Sequence, residues 1–239
     1  MSNRKQIILA VLLMAAAVAV GLAVPLAAGR LKDAAFDNTS LSLDVAALDK
    51  DDTAKLGIDE KLRLLSSRDI YIIDTDEGRD LDREEAAKTA EGYLYELYAL
   101  GIVTCAPENM YYDIYDDVYP VVLIDESGRG DGLLAWSFVA NGDDGSIVMF
   151  IDDESSLMLG MSFYSNGEAV LTEDDADLID IFAEYCADKL GGKLMEVEYI
   201  SNDVSYGDLF RFKISFDDGF TYVPLDLRLY ESHLAFNME

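Results

Sequence analysis

The sequence predicts an α+β fold: an N-terminal transmembrane helix followed by two units, each a helix laid across an antiparallel sheet. Three observations carry this expectation. An apolar run from Ile7 to Ala28 contains no charged residue. Hydrophobic residues recur at helical spacing over Arg83–Leu100 and again after Thr172 or Glu173. Behind each helix the pattern changes to two-residue alternation broken by Gly- and Asn-containing turns.

At about 1.5 Å rise per residue, roughly 20 residues cross a bilayer core, and the Ile7–Ala28 run reaches that length. The rival reading is a cleaved signal peptide ending near Ala27, Ala28 and Gly29, although such apolar regions usually span about 7–15 residues. Arg4 and Lys5 precede the run while Arg30 and Lys32 follow it, so charge alone does not orient it. Both readings place the rest of the chain outside the cytoplasm, as a single-pass cell-membrane protein or an exported one. Residues 1–29 are then the anchor and 30–55 an acidic stalk. Residues 56–171 form the first helix-plus-sheet unit and 172–239 the second.

Leu56, Leu62 and Leu65 suggest a short helix within Leu56–Ser67, followed by a β-branched strand over Arg68–Asp74. Asp82 is placed to cap a helix whose buried stripe is Ala87, Ala90, Leu94 and Leu97, ending at Gly101. A strand is expected over Met110–Tyr115, with Tyr112 and Ile114 facing in and Tyr111, Asp113 and Tyr115 facing out. Tyr119–Ile124, Leu133–Ala140, Ser146–Ile151 and Leu157–Tyr164 continue as strands, and Asn141–Gly145 is a hairpin signal. The second helix would bury Leu178, Ile179, Phe182, Tyr185 and Cys186 and stop at Gly191-Gly192. Three strands close the chain. Phe210–Phe216 alternates perfectly, and Val223, Leu225, Leu227 and Leu229 alternate in turn. Cys105 and Cys186 would form at most one bridge, and a buried free thiol is an equal reading for Cys186.

With 47 acidic and 18 basic residues the formal net charge is −29, yet 51% of the 239 residues are hydrophobic, too many for a disordered acidic tail. No acid occurs before Gly29. Such a surface repels phosphate backbones and argues against nucleic-acid partners. One histidine and two cysteines are too few for a Cys/His zinc site. No nucleophile elbow, phosphate-cradling loop or dinucleotide fingerprint is present.

Glu84-Glu85-Ala86-Ala87 at a helix start, Trp136-Ser-Phe-Val on a strand, and Ile147–Asp152 ending in aspartate resemble the PepSY-like, cystatin-like exported domains of Gram-positive bacteria. The likeness spans Asp82 to Tyr164; Ser155-Ser156 stand where such domains usually carry glycine. Asp59–Ser66 also resembles clostridial-type anchored proteins. The resemblance implies a small helix-on-sheet fold, which would make the expected units cystatin-like, a membrane-tethered setting and a regulatory or inhibitory binding role rather than catalysis.

Two clusters are candidate sites. Asp74, Asp76, Asp80, Asp82 and Glu85 fall at positions one, three, seven, nine and twelve of a calcium-loop spacing, while Arg79 takes the place that needs glycine. A solvated strand-to-helix turn explains the same acids, so no resident cofactor is expected and calcium is the one to test. Tyr111 and Tyr115, beside Asp113 and Asp117, would bind a partner if the outward strand face stays uncovered. His233 reads as an edge-strand or surface residue. The expected function is a non-catalytic interaction or sensory module of the envelope with a protein or peptide partner. The alternatives are a peptide- or glycan-binding domain using the tyrosines, and a carboxylate-based hydrolase.

Overall fold

The computed structural model describes residues 56–65, 70–125, 132–166, 175–203, 207–216, 222–230 and 232–238. All of them belong to the second of two units into which the chain divides, Asp49–Glu239. Three α-helices are described: α1 (Ile58–Leu65), α2 (Arg83–Ala99) and α3 (Ala176–Lys189). Ten strands accompany them: β1 (Ile70–Asp74), β2 (Met110–Tyr111), β3 (Val118–Asp125), β4 (Leu133–Gly142), β5 (Gly145–Asp152), β6 (Met158–Ser165), β7 (Lys193–Asp203), β8 (Gly207–Ser215), β9 (Val223–Leu229) and β10 (His233–Phe236).

The strands make one antiparallel sheet in the order β1-β3-β4-β5-β6-β10-β9-β8-β7, with β2 alongside β4. This corrects the expected fold class. The two helix-and-sheet units share one sheet, because β10 pairs with β9 on one side and with β6 on the other. Phe236 lies opposite Met161 and Leu234 opposite Phe163, so the apolar layer runs across the junction without a break. Neither half could end there cheaply, since an open β6 or β10 edge would leave apolar strands with unpaired backbone groups. The expected transmembrane helix over Ile7–Ala28, the stalk and the Thr172 or Glu173 cap lie outside the described residues. No helix among the described residues is long and apolar enough to cross a membrane, so the transmembrane part of the expected fold class finds no support there.

Local chemistry places the helices. Asp82 caps α2 in a reciprocal capping box: its carboxylate accepts from the Glu85 N–H at 2.8 Å, and the Glu85 carboxylate accepts from the Asp82 N–H at 3.2 Å. Gly101 follows in the left-handed region at φ 80° and ends the helix. Helix α3 opens after Asp175, whose side chain does not cap it, and ends at Gly191, φ 71°.

Cross-strand register assigns the faces. Tyr112 packs edge-on against Phe138 and donates to Glu91 of α2, so Phe138 faces α2. Phe138 lies opposite Met149, Met149 opposite Met161, and Met161 opposite Phe236, which packs on Phe182 of α3. Both long helices therefore cover the same face. Asp152 pairs with Ala135, which points away from that face, and Lys61 of α1 reaches Asp152. Helix α1 thus lies on the opposite face, contacting β3, β6 and β9. The C-terminal half contributes four strands where three were expected. Cys105 and Cys186 are both free and buried.

Candidate functional site

Residues Pro107 to Tyr115 return beside α2, antiparallel to it. Tyr112 meets Glu91 at mid-helix with an O–H···O distance of 2.9 Å, and Arg83 Nη1 at the helix start donates to the Tyr115 carbonyl at 2.6 Å. The expected Met110–Tyr115 strand is a correction here. Only Met110–Tyr111 pairs, with Gly142 and Asn141, before the chain turns. The turn closes on its own acids: Asp117 accepts from the Asp113 N–H and Asp113 from the Tyr115 N–H, both at 2.8 Å. Aspartate favours such local bonds over a ladder, which is why alternation misleads at this point.

The turn leaves Tyr111 67% and Tyr115 76% exposed, with the Arg83 guanidinium 5.8 Å from the Tyr115 ring centre. Helix α2 carries exposed tyrosines of its own. At 3.6 residues per turn Glu91, Tyr95 and Tyr98 share the flank that faces the strip, and Tyr95 is 54% and Tyr98 42% exposed. The opposite flank of α2, with Tyr93 and Glu96, meets α3 instead. Tyr95 and Tyr98 escape the sequence reading, although their spacing of three on the outward side of a helix is a usable signal. Tyr112 is not free to ionise. Burial, its bond to Glu91 and the charge of that carboxylate push its phenol up to about 12.

The expected calcium loop is not assembled. Among the described residues no three or more His, Cys, Asp or Glu side chains are grouped to hold a metal ion. Asp74 ends β1 opposite Val121, Asp76 is exposed, Asp80 pairs with Arg79 at 3.0 Å, and Asp82 and Glu85 are used in the capping box. The loop is shaped by an acid from elsewhere. Asp153, 1% exposed, accepts from the backbone N–H groups of Arg79, Asp80 and Leu81 at 2.8–3.3 Å and from Trp136 Nε1 at 2.9 Å. Gly78 completes the fit, because a Cβ there would lie 2.6 Å from Asp153 and from the Trp136 ring.

The neighbouring acid serves the other face. Asp152, 1% exposed, receives Lys61 Nζ on both oxygens at 2.8 and 3.0 Å, and Lys61 also donates to Glu154 at 2.9 Å. Burial works against the Lys61 charge, but the bonds and fields of the two carboxylates outweigh it and raise its pKa. These residues edge an open hollow of about 240 Å³ together with Arg79 and Leu133. A second hollow, about 220 Å³, lies between α2 and α3 over Leu157, Met158, Cys186 and Phe236. At its rim Tyr185 and Lys189 donate to Glu96 at 2.6 and 2.8 Å. Burial and the bond to Glu96 drive the Tyr185 phenol far up, and burial alone does the same to the Cys186 thiol, so neither is a nucleophile at neutral pH.

No protein-family model, no curated protein and no solved structure matches the chain. The likeness to PepSY-like domains therefore rests on the sequence motifs that suggested it.

Proposed function

We propose that the chain is a non-catalytic recognition module that binds a cationic protein segment through the tyrosine surface of α2 and the Met110–Asp117 strip. The observation that carries this reading is the exposure, 42–76%, of Tyr95 and Tyr98 on α2 and of Tyr111 and Tyr115 on the strip that runs beside it. Tyrosine supplies large contact area for little conformational entropy, and its ring face attracts Lys and Arg. Arg83 over Tyr115 illustrates that pairing within the chain. Around the rings stand Glu91, Asp113, Asp116 and Asp117, and the whole chain carries −29. That field steers a basic partner inward and repels an acidic one.

The test uses a fluorescent peptide of alternating lysine and leucine, titrated with the folded protein. Binding is expected, weakening as salt rises, with Tyr111→Ala/Tyr115→Ala losing at least about tenfold, or ~1.4 kcal/mol, while its melting temperature stays unchanged. Equal affinity of the double variant and the parent would show that charge alone holds the peptide and would overturn the assignment of this surface.

A further inference from the structure

Lys61, Asp152 and Glu154 form a constellation that the recognition reading does not use. A lysine 6% exposed and an aspartate 1% exposed face each other at 2.8 and 3.0 Å, with a second carboxylate 2.9 Å from the same nitrogen. Ser155 directs both its backbone N–H, at 2.9 Å, and its hydroxyl to Asp152 Oδ2. The parts match an acyl-transfer site: an amine, a carboxyl carbon, a proton relay, and two donors on the oxygen that stays. We infer that Lys61 and Asp152 condense to an intramolecular isopeptide bond that bolts α1 to the end of β5.

The reaction balances without a further reactant. Lys61 Nζ passes a proton to Glu154 along their hydrogen bond, and its lone pair attacks Asp152 Cγ. Negative charge developing on Oδ2 is met by the Ser155 N–H and O–H, the arrangement that stabilises tetrahedral intermediates generally. Glu154 delivers the proton to Oδ1, a second Nζ proton follows, the Cγ–Oδ1 bond breaks, and one water leaves. The third Nζ proton remains on the new amide. The Asp152 carboxyl turns about a broad terminal torsion, so presenting its π face to Nζ requires no rotamer change. Groups held in contact in this way react with effective concentrations that reach about 10⁵ M or more. The product is favoured because a neutral amide replaces two charges held largely out of water and one water is released, and the bonds that keep Lys61 charged set the barrier that Glu154 has to lower.

The wild-type full-length protein is itself the test. After folding and prolonged incubation its intact mass is expected to fall by one water. Proteolysis should then release a branched peptide joining the Lys61 segment to the Asp152 segment. Glu154→Gln keeps an acceptor for Lys61 but cannot relay the proton, and is expected to fold with the full sequence mass. A wild-type chain that retains the full mass overturns the inference. So does a loss of water without the branched peptide, which marks a cyclic imide at an aspartate instead. A Glu154→Gln chain that forms the branch as fast as wild type overturns the role given to Glu154.

Discussion

The two halves of the sheet are covered differently, and their sequences say so. In the N-terminal half β4 and β6 are buried on nearly every residue, Leu133–Phe138 and Met158–Phe163 without interruption. There α2 covers one face and α1 the other. In the C-terminal half β9 alternates buried and half-buried residue by residue over Val223–Leu229: α3 lies over its buried face, and α1 reaches the other face without closing it. Its outer face carries charge instead: Arg211 bridges Asp226 at 2.7 Å, and Lys213 reaches Glu196 and Glu198. Continuous apolar runs thus mark strands closed off on both faces, and alternation marks a strand whose second face stays partly open.

The largest expected effect tests the α3 cover. Phe182 is fully buried and meets both Phe212 and Phe236, so Phe182→Ala removes the contact that joins α3 to two strands at once. A loss of about 3–5 kcal/mol is expected from urea unfolding. Leu62→Ala on α1 is expected to cost less, about 2–3 kcal/mol, because the N-terminal half keeps α2 on its other face. A greater loss for Leu62→Ala would mean that α1, lying across β3, β6 and β9, is the chief cover of the whole sheet.

The second comparison concerns charge. Removing the Asp153 carboxylate strands three backbone N–H groups and the Trp136 indole in a buried loop. Asp153→Ala is expected to cost about 3 kcal/mol. On the open face Arg211→Ala breaks a bridge that is just as short, but water takes over both partners, and less than about 1 kcal/mol should be lost. Equal costs in urea unfolding would contradict the reading that burial, rather than hydrogen-bond length, sets the value of these contacts.

Much of this fold was legible because short-range chemistry decides it. Asp82 was readable as a cap from its position before an apolar stripe, and Asn141–Gly145 as a hairpin; β4 and β5 do meet there, with Gly142 opposite Gly145. Phe210, Phe212 and Ile214 announce their buried face by alternation alone. What could not be read is long-range. Nothing near Asp152 or Asp153 in sequence shows that one anchors Lys61, 91 positions away, and the other the loop at Arg79, 74 positions away. The pairing of β6 with β10 is equally non-local, and without it the chain looks like two units. Of the candidate site, parity turns Tyr111 outward, but Tyr115 is exposed by the aspartate turn that replaces the expected strand, and Tyr95 and Tyr98 were hidden inside a helix judged only by its buried stripe.

The smallest expected effect lies at the seam of the halves. His233, the only histidine, reads as an edge or surface residue, yet it occupies β10 in the middle of the sheet. Its ring is stacked between Tyr164 of β6, 3.9 Å away between centroids, and Tyr230, at 5.1 Å. Nε2 is buried and makes no hydrogen bond among the described residues. Burial therefore lowers the His233 pKa below its ordinary value of 6.5. Above pH 6.5 both folded and unfolded chains hold the ring neutral, and His233 adds no pH dependence. As pH falls below that value the unfolded chain takes up a proton that the folded chain resists, so stability drops toward the folded pKa. Between pH 6.5 and about 5 most carboxylates remain ionised, which isolates this contribution. His233→Phe keeps an aromatic ring in the stack and removes the titration. Its unfolding free energy should stay flat across that window where the wild type declines, and parallel declines in both proteins would mean that the seam holds no proton-sensitive group.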